Sequence, residues 1–288
     1  MPNQRARPTL RRRRLGEQLE ARRAAANLSL EAAAALMGWD KFKLSKIENA
    51  RQHIAARDVE LLLSHHYGVE DAQFINSMTA LARDTGKRGW WAGFGAVGDS
   101  YEDLLSVDDD ASDMRFYSSD LVPGLLQRGP YAGQVINSTA INRSAEDKEG
   151  FVRLRLARQS VLERSPNPLR LWAVIGEAAL RHTFPDPDAM RDQLAYLLEA
   201  STRTNITVQV MPLLNGAHPG IAGMFNIISF PSPWPTVVNL ENLRGGTFVE
   251  GTQDVAIFED AFSQIVANAL SPDESRDTIK MILKEQHA

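Results

Sequence analysis

The sequence contains no cysteine, and none of its stretches is apolar enough to predict a membrane span. Without cysteine, disulfide bonds, thiol catalysis and cysteine-ligated metal sites are excluded. A membrane helix needs about 18 consecutive apolar residues, and no apolar run follows the basic start MPNQRARPTLRRRR to make it a secretory signal. We therefore expect a cytoplasmic protein that does not bind a membrane.

Histidine is scarce, and its six copies lack the spacings of catalytic or metal-binding sites. No HExxH pair and no GxSxG nucleophile motif is present. The run Asp108–Asp110 with Asp113 offers carboxylates to a hard cation, but an acidic loop or helix start is the commoner origin of such a run. We expect no enzyme activity, no cofactor and no metal.

The net charge of −4 is distributed unevenly over the 288 residues. Residues 1–90 hold 16 Lys/Arg against 10 Asp/Glu, a charge of +6, and residues 91–288 hold 16 against 26, a charge of −10. This asymmetry is expected when one domain meets nucleic-acid phosphates and the other does not. The length also fits two domains.

The basic part has the pattern of five short helices. Thr9 caps a first helix that begins with Arg11–Arg14, a run that faces either a phosphate backbone or solvent. Ser29 caps a second helix, Gly38 supplies a turn, and Asp40 caps a third helix. Apolar spacing predicts two further helices, over residues 57–67 and 72–83.

The stretch Ser29–Arg51, SLEAAAALMGWDKFKLSKIENAR, predicts a helix-turn-helix whose second helix enters a DNA major groove. Leu44 and Ile47 point inward, which leaves the basic side chains outside. Phe42 either touches a thymine methyl or packs on Trp39. The predicted DNA contacts are Ser29, Lys41, Phe42, Lys43, Ser45, Lys46, Asn49, Arg51 and Arg12.

Two of these contacts have specific expected roles. Lys41 and Lys43 lie near the start of the helix, where a lysine reaches guanine O6 or N7. Glu48, in contrast, is expected to pair with an arginine of the first helix, Arg22 or Arg23, and to be structural.

The pattern changes after residue 84. The segment TGKRGWWAGFGAVGDS has five glycines and includes Gly93–Gly98, a GxGxxG. A dinucleotide site needs a buried strand before this motif, and LARDTGKRGWWA is not one, so a linker with an aromatic anchor is favoured. Loops around Trp90 and Trp234 either frame a pocket or supply core aromatics.

Helices and strands alternate in the rest of the chain. Strands are predicted over residues 114–118, 169–175, 206–211, 224–230 and 236–240. Arg158 lies on the apolar stripe of a long helix predicted over residues 146–164, so we expect it to bind carbonyls of the turn Val122–Gln127. Ser271 and Glu274 predict a capping box for the last helix.

Together these patterns predict an all-α five-helix helix-turn-helix domain followed by a larger α+β domain with a mixed sheet. The expected parts are a disordered tail (1–8), the helix-turn-helix domain (9–84), a linker (85–100) and an α+β sensing or dimerisation domain (101–288).

Several short segments of the sequence resemble those of a group of bacterial regulators. Residues 15–69 resemble the Cro/repressor-type helix-turn-helix domain of the xenobiotic-response-element (XRE) family. Within this range, LSKIENAR (Leu44–Arg51) resembles the signature of that family. Residues 90–285 resemble the uncharacterised domain of WhiJ-type regulators. The matching segments are Gly89–Trp91, Leu121–Gln127, Arg155–Gln159, Glu177–Leu180, Val208–Pro212, Gly216–His218 and Ala269–Ser275.

The resemblance implies a transcriptional regulator on double-stranded DNA, paired in many relatives with a small acidic protein. We expect an antitoxin-like repressor that forms a homodimer. A small protein partner or a ligand is expected to control this repressor through the C-terminal domain. The alternative is a protein-interaction module, an antitoxin or scaffold, with weak or vestigial DNA binding. Leu30, Trp39 and Ala50 depart from the family pattern, which usually has Gln, a small aliphatic residue and Gly there.

Overall fold

The computed structural model describes residues 9–84, 91, 99–141, 143–232, 234–243 and 245–286. The predicted tail over residues 1–8, Trp90, the GxGxxG segment and most of the predicted linker lie outside this range. The described residues form two compact units, which divide between Val107 and Asp108. No helix in the described ranges combines the length and apolar character that a membrane span requires.

The first unit is helical. Its helices are α1 (Leu10–Ala25), α2 (Leu30–Leu36), α3 (Lys41–Glu48), α4 (Ala56–Leu61), α5 (Ala72–Asp84) and the first part of α6 (Asp99–Asp110). The side chains of Thr9, Ser29 and Asp40 accept hydrogen bonds from backbone N–H groups in the first turns of α1, α2 and α3. All three predicted caps are therefore confirmed.

The second unit contains a six-stranded mixed sheet in the described part of the chain. Its strands are β1 (Asp113–Ser118), β2 (Arg170–Gly176), β3 (Ile206–Met211), β4 (Phe225–Ser229), β5 (Val237–Asn242) and β6 (Gly245–Val249). Their order is β3-β2-β1-β4-β5-β6, with parallel pairs β1–β2 and β2–β3 and antiparallel pairs elsewhere. A helical domain followed by a larger α+β domain with a mixed sheet is the fold class that the sequence predicted.

The helices of the second unit lie between these strands or follow the last one. They are α7 (Gly129–Thr139), α8 (Ala145–Ala157), α9 (Glu177–Leu180), α10 (Pro187–Ala200), α11 (Thr252–Asn268) and α12 (Pro272–Glu285). The capping box of Ser271 and Glu274 at the start of α12 is confirmed. The long helix predicted up to residue 164 ends earlier, because a 3-10 turn over Arg158–Leu162 follows α8.

One face of the sheet packs on α11. Phe262 and Ile265 of this helix lie in one buried cluster with Tyr117, Val174 and Val238 of the strands. Burial of these apolar side chains is the main force that holds α11 on the sheet.

The outer edge of β3 is covered by the start of α12. Val210 N–H donates to Ser275 Oγ at 2.8 Å, and Val210 O accepts from Leu270 N–H at 2.9 Å. Backbone groups on this edge of the sheet therefore already have partners.

The predicted partner of Arg158 is wrong. Arg158 Nε donates to Asp108 Oδ2 at 2.6 Å, and the side chains of both residues are at least nine-tenths buried. The turn Val122–Gln127 is bound by the neighbouring Gln159, whose Nε2 donates to the carbonyl of Gln127. A buried arginine needs a charged partner more than it needs neutral carbonyls, and α6 provides the carboxylate.

The acidic run lies at the end of α6, not in a loop or at a helix start, and this pairing gives Asp108 a structural partner. Burial raises the pKa of Asp108 to about 6, against the opposing effect of the Arg158 charge. Asp113 lies 3.4 Å from the guanidinium of Arg170. No group of side chains in the described ranges has the arrangement of a metal site.

Candidate nucleic-acid interface

The first three helices end in the same type of turn, in which the residue after the cap has a positive φ. These residues are Asn27 (57°), Gly38 (66°) and Ala50 (59°). Asn and Gly adopt this left-handed conformation readily, whereas alanine costs about 1 kcal/mol more than glycine because of its Cβ. Ala50, one of the three departures from the family pattern, therefore carries local backbone strain.

The turn after α2 fixes how the chain enters α3. Gly38 N–H donates to Ala35 O at 3.0 Å, and Trp39 N–H donates to Ala34 O at 2.9 Å. These two bonds form a Schellman motif, which satisfies carbonyls at the end of α2. Asp40 then caps α3, so the backbone of the whole turn is held by hydrogen bonds.

A buried ion pair joins α1 to α3. Arg23 Nε and Nη2 donate to the two carboxylate oxygens of Glu48 at 2.7 and 2.9 Å, and Arg23 Nη1 donates to Leu28 O at 2.9 Å. The pKa of Arg23 is raised, first by its hydrogen bond to Glu48. Burial raises the pKa of the neighbouring Tyr67. The predicted structural role of Glu48 is confirmed, and its partner is Arg23.

The backbones of α1 and α3 also approach each other closely at Gly16. A Cβ at this position would lie 2.2 Å from the carbonyl oxygen of Glu48 and 3.0 Å from that of Ile47. Only glycine fits there without a shift of one helix. Together with the ion pair, this contact fixes α3 on the body of the first unit.

Five of the nine predicted DNA-contacting residues lie on α3, namely Lys41, Phe42, Lys43, Ser45 and Lys46. Leu44 and Ile47 are buried as predicted, which leaves the lysines on the other side of the helix. Lys46 and Arg51 are exposed. Ser29 is exposed and its Oγ accepts from Ala32 N–H at 3.1 Å.

Lys41 and Lys43 have different surroundings. Lys41 Nζ lies 2.8 Å from Glu31 Oε1, which lowers the pKa of Glu31 and raises that of Lys41 through their hydrogen bond. Lys43 Nζ lies 3.7 Å above the centre of the Trp39 ring. The first lysine is thus paired with a carboxylate, and the second lies on an aromatic ring.

The remaining predicted residues occupy the middle and end of α3. Phe42 is 65% exposed, so Trp39 does not bury it. Asn49 Nδ2 donates to Ser45 O at 2.8 Å and lies 3.5 Å from Ser45 Oγ. The Asn49 amide therefore already has a helix-terminal partner.

The arginine run at the start of α1 lies beside α6. Arg13 lies 3.5 Å from Asp103, and Arg11 Nη2 donates to Ser106 O at 3.3 Å. Arg14 is 3% exposed. Asp103 and Ser106 belong to the part of α6 in the first unit. Two of the four arginines, Arg11 and Arg13, therefore contact α6.

Arg12 lies partly buried within this run. Its backbone N–H donates to Thr9 Oγ1 at 3.4 Å, and its Nε is buried with no hydrogen-bond partner in the described part of the chain. Its side chain is less accessible than those of Lys46 and Arg51. Its predicted phosphate contact remains a prediction.

Sequence reasoning missed two features of this surface. The ring of Trp39 lies under Lys43, and Glu31 is paired with Lys41. Trp39 and Lys43 are four residues apart across a helix start, and Glu31 and Lys41 lie on different helices. The first spacing was a usable signal because residues four apart can meet near a helix start. The second pair depends on the angle between α2 and α3.

Comparison with known families agrees with this geometry. Residues 14–74 match a family described as a helix-turn-helix domain. Residues 101–281, more than half of the chain, match a family described as a domain of unknown function (DUF5753). No curated protein and no solved structure matches the chain.

Proposed function

Because the chain belongs to the DUF5753 family and begins with a helix-turn-helix domain, we propose that it is a sequence-specific transcriptional regulator that reads DNA through α3. The observation that supports the proposal is the basic outward side of α3. The Arg23–Glu48 ion pair and the close contact at Gly16 hold this helix on the first unit. Base-reading side chains must be positioned accurately, and helices held by packing do this better than loops.

The charges on this surface fit the two kinds of DNA contact. Lys46 is exposed and Lys43 half-buried on α3, and Arg51 is exposed in the loop that follows it. Lysines near the start of the recognition helix read guanine, whereas the loop after the helix meets phosphates. The −10 charge of residues 91–288 keeps the rest of the protein from binding DNA nonspecifically.

The finer proposal is an antitoxin-like repressor of the XRE type that acts as a homodimer in the cytoplasm. Its DUF5753 domain is proposed to dimerise and to respond to a small acidic protein or a ligand. The resemblance of residues 90–285 to WhiJ-type regulators supports this part of the proposal.

The first experiment is selection of duplexes from a random DNA pool by the full-length protein. We expect one enriched motif, bound with a logarithmic affinity that falls linearly with the logarithm of salt concentration. An enriched motif requires base contacts, and the salt slope reports contacts to phosphates. Failure to bind any duplex in a salt-dependent way would support the protein-interaction module instead.

Footprinting on the selected duplex tests the homodimer. Two recognition helices of a symmetric dimer require two half-sites about 34 Å, or one helical turn, apart. A single protected half-site at saturating protein would contradict the dimer but leave DNA reading intact.

A further inference from the structure

We propose that Trp39 is a positioning residue for base reading: its indole ring holds the ammonium of Lys43 in place, so that Lys43 meets a guanine in a preformed position. The inference rests on the proposed function and names the side chain through which it acts. Trp39 was not among the residues predicted to contact DNA.

The first argument is geometric. Lys43 Nζ lies 3.7 Å above the centre of the Trp39 ring, well inside the roughly 6 Å within which a cation is attracted to an aromatic face. Both residues are fixed through their backbones. Trp39 N–H donates to Ala34 O at 2.9 Å, and Lys43 N–H donates to Asp40 Oδ1 at 2.9 Å.

The second argument concerns conformational freedom. A lysine side chain has many rotamers in solution and loses this freedom when it contacts DNA. If the ring already restricts Lys43, less freedom is lost on binding, and the affinity for the matching base rises. The ring covers one side of the ammonium, so N–H donors on the other side remain available for guanine O6 and N7.

Among the lysines of α3, Lys43 makes the closer contact with an aromatic ring, since Lys41 Nζ lies 5.7 Å from the centre of the Phe42 ring whereas Lys43 Nζ lies 3.7 Å from that of Trp39. Lys41 is bound by the Glu31 carboxylate, which compensates its charge. The side chain of Lys46 has no partner in the described part of the chain and lies one turn further along α3. Lys46 is therefore the matched control, a lysine on the same helix without a ring beneath it.

The test measures binding of full-length variants to the duplex that the wild-type protein selects from a random pool. Trp39→Ala should weaken binding about 2- to 5-fold, the effect of one exposed cation–π contact. Trp39→Phe, which keeps an aromatic face, should stay within about 2-fold of wild type. In a Lys43→Ala background Trp39→Ala should have almost no further effect, but in a Lys46→Ala background its full effect should remain.

Equal effects of Trp39→Ala in the Lys43→Ala and wild-type backgrounds would overturn the inference, because Trp39 would then act independently of Lys43. If Trp39→Ala does not fold, Trp39→Leu replaces it, since leucine keeps apolar bulk but has no aromatic face. Retention of wild-type affinity by Trp39→Leu would also overturn it. If the wild-type protein selects no duplex, the proposed function fails, whereas additive effects in a protein that binds DNA reject only the role of Trp39.

Discussion

At the residue scale, a carboxylate of the protein itself compensates the positive charge of Lys41 before any DNA binds. Its Nζ lies 2.8 Å from Glu31 Oε1, and both side chains are about half exposed or more. An exposed pair of this kind contributes little to stability, but its carboxylate repels an approaching phosphate. Glu31 is therefore expected to restrain DNA binding.

Glu31→Gln should raise the affinity for DNA about 2- to 10-fold at 0.1 M salt, because it removes a negative charge and releases Lys41. The free energy of unfolding should not change measurably. Fluorescence anisotropy with a labelled duplex measures the affinity. Glu70→Gln is the control, since Glu70 is exposed, lies between α4 and α5, and gives the same change in net charge. Equal gains from both variants would show that net charge alone matters.

A second residue-scale prediction concerns Asp108, the buried partner of Arg158. Its pKa in the folded protein is about 6, raised from 3.8 by burial. Between these two pH values Asp108 is deprotonated in the unfolded chain but still protonated in the folded protein. Rising pH therefore favours unfolding. This contribution to stability is fully present below about pH 4 and is lost as the pH rises through about 6.

Asp108→Asn removes the titrating group. The free energy of unfolding of the wild type, minus that of the variant, should fall by roughly 1–3 kcal/mol between pH 4 and pH 7. Urea unfolding at several pH values measures both proteins. A difference that grows with pH would show that the Arg158 charge outweighs burial and lowers the pKa of Asp108.

At the element scale, the position of α3 depends on its close approach to α1. Gly16→Ala places a Cβ 2.2 Å from the carbonyl oxygen of Glu48, so the two helices must separate. We expect a loss of about 1–3 kcal/mol in the free energy of unfolding and weaker DNA binding. Urea unfolding followed by circular dichroism measures the loss.

Gly133→Ala is the matched control. Gly133 also lies within a helix, α7, and a Cβ there meets nothing within 4 Å. Alanine should stabilise this helix by about 0.5–1 kcal/mol relative to glycine. If both variants destabilise the protein alike, the contact at Gly16 is not responsible.

The sequence predicts the elements where signals are local. The caps Thr9, Ser29 and Asp40 and the turn at Gly38 are each recognisable from one residue and its neighbours. Strand β6 was missed, because GGTFV begins with two glycines and has little alternation. It pairs only because β5 presents a matching register.

At the scale of the whole molecule, the charge asymmetry and the fold class were predictable because each reflects many residues. The partners of individual buried charges were not. Arg158 pairs with Asp108, 50 residues earlier, and Arg13 lies beside Asp103, 90 residues later. Nothing in the local sequence encodes such pairs, which arise only when distant helices pack together. The stack of Lys43 on Trp39 required the geometry of the turn after α2.

The most direct test of the central claim, that α3 reads DNA sequence, compares wild-type and Lys43→Ala proteins on the selected duplex and on every single-base variant of it. Lys43→Ala should lose about 1–3 kcal/mol on the selected duplex and accept substitutions at one base position. Its affinity for scrambled DNA should change far less. Equal losses on the selected and scrambled duplexes, with discrimination unchanged at every position, would contradict base reading by Lys43 and confine this residue to phosphate contact.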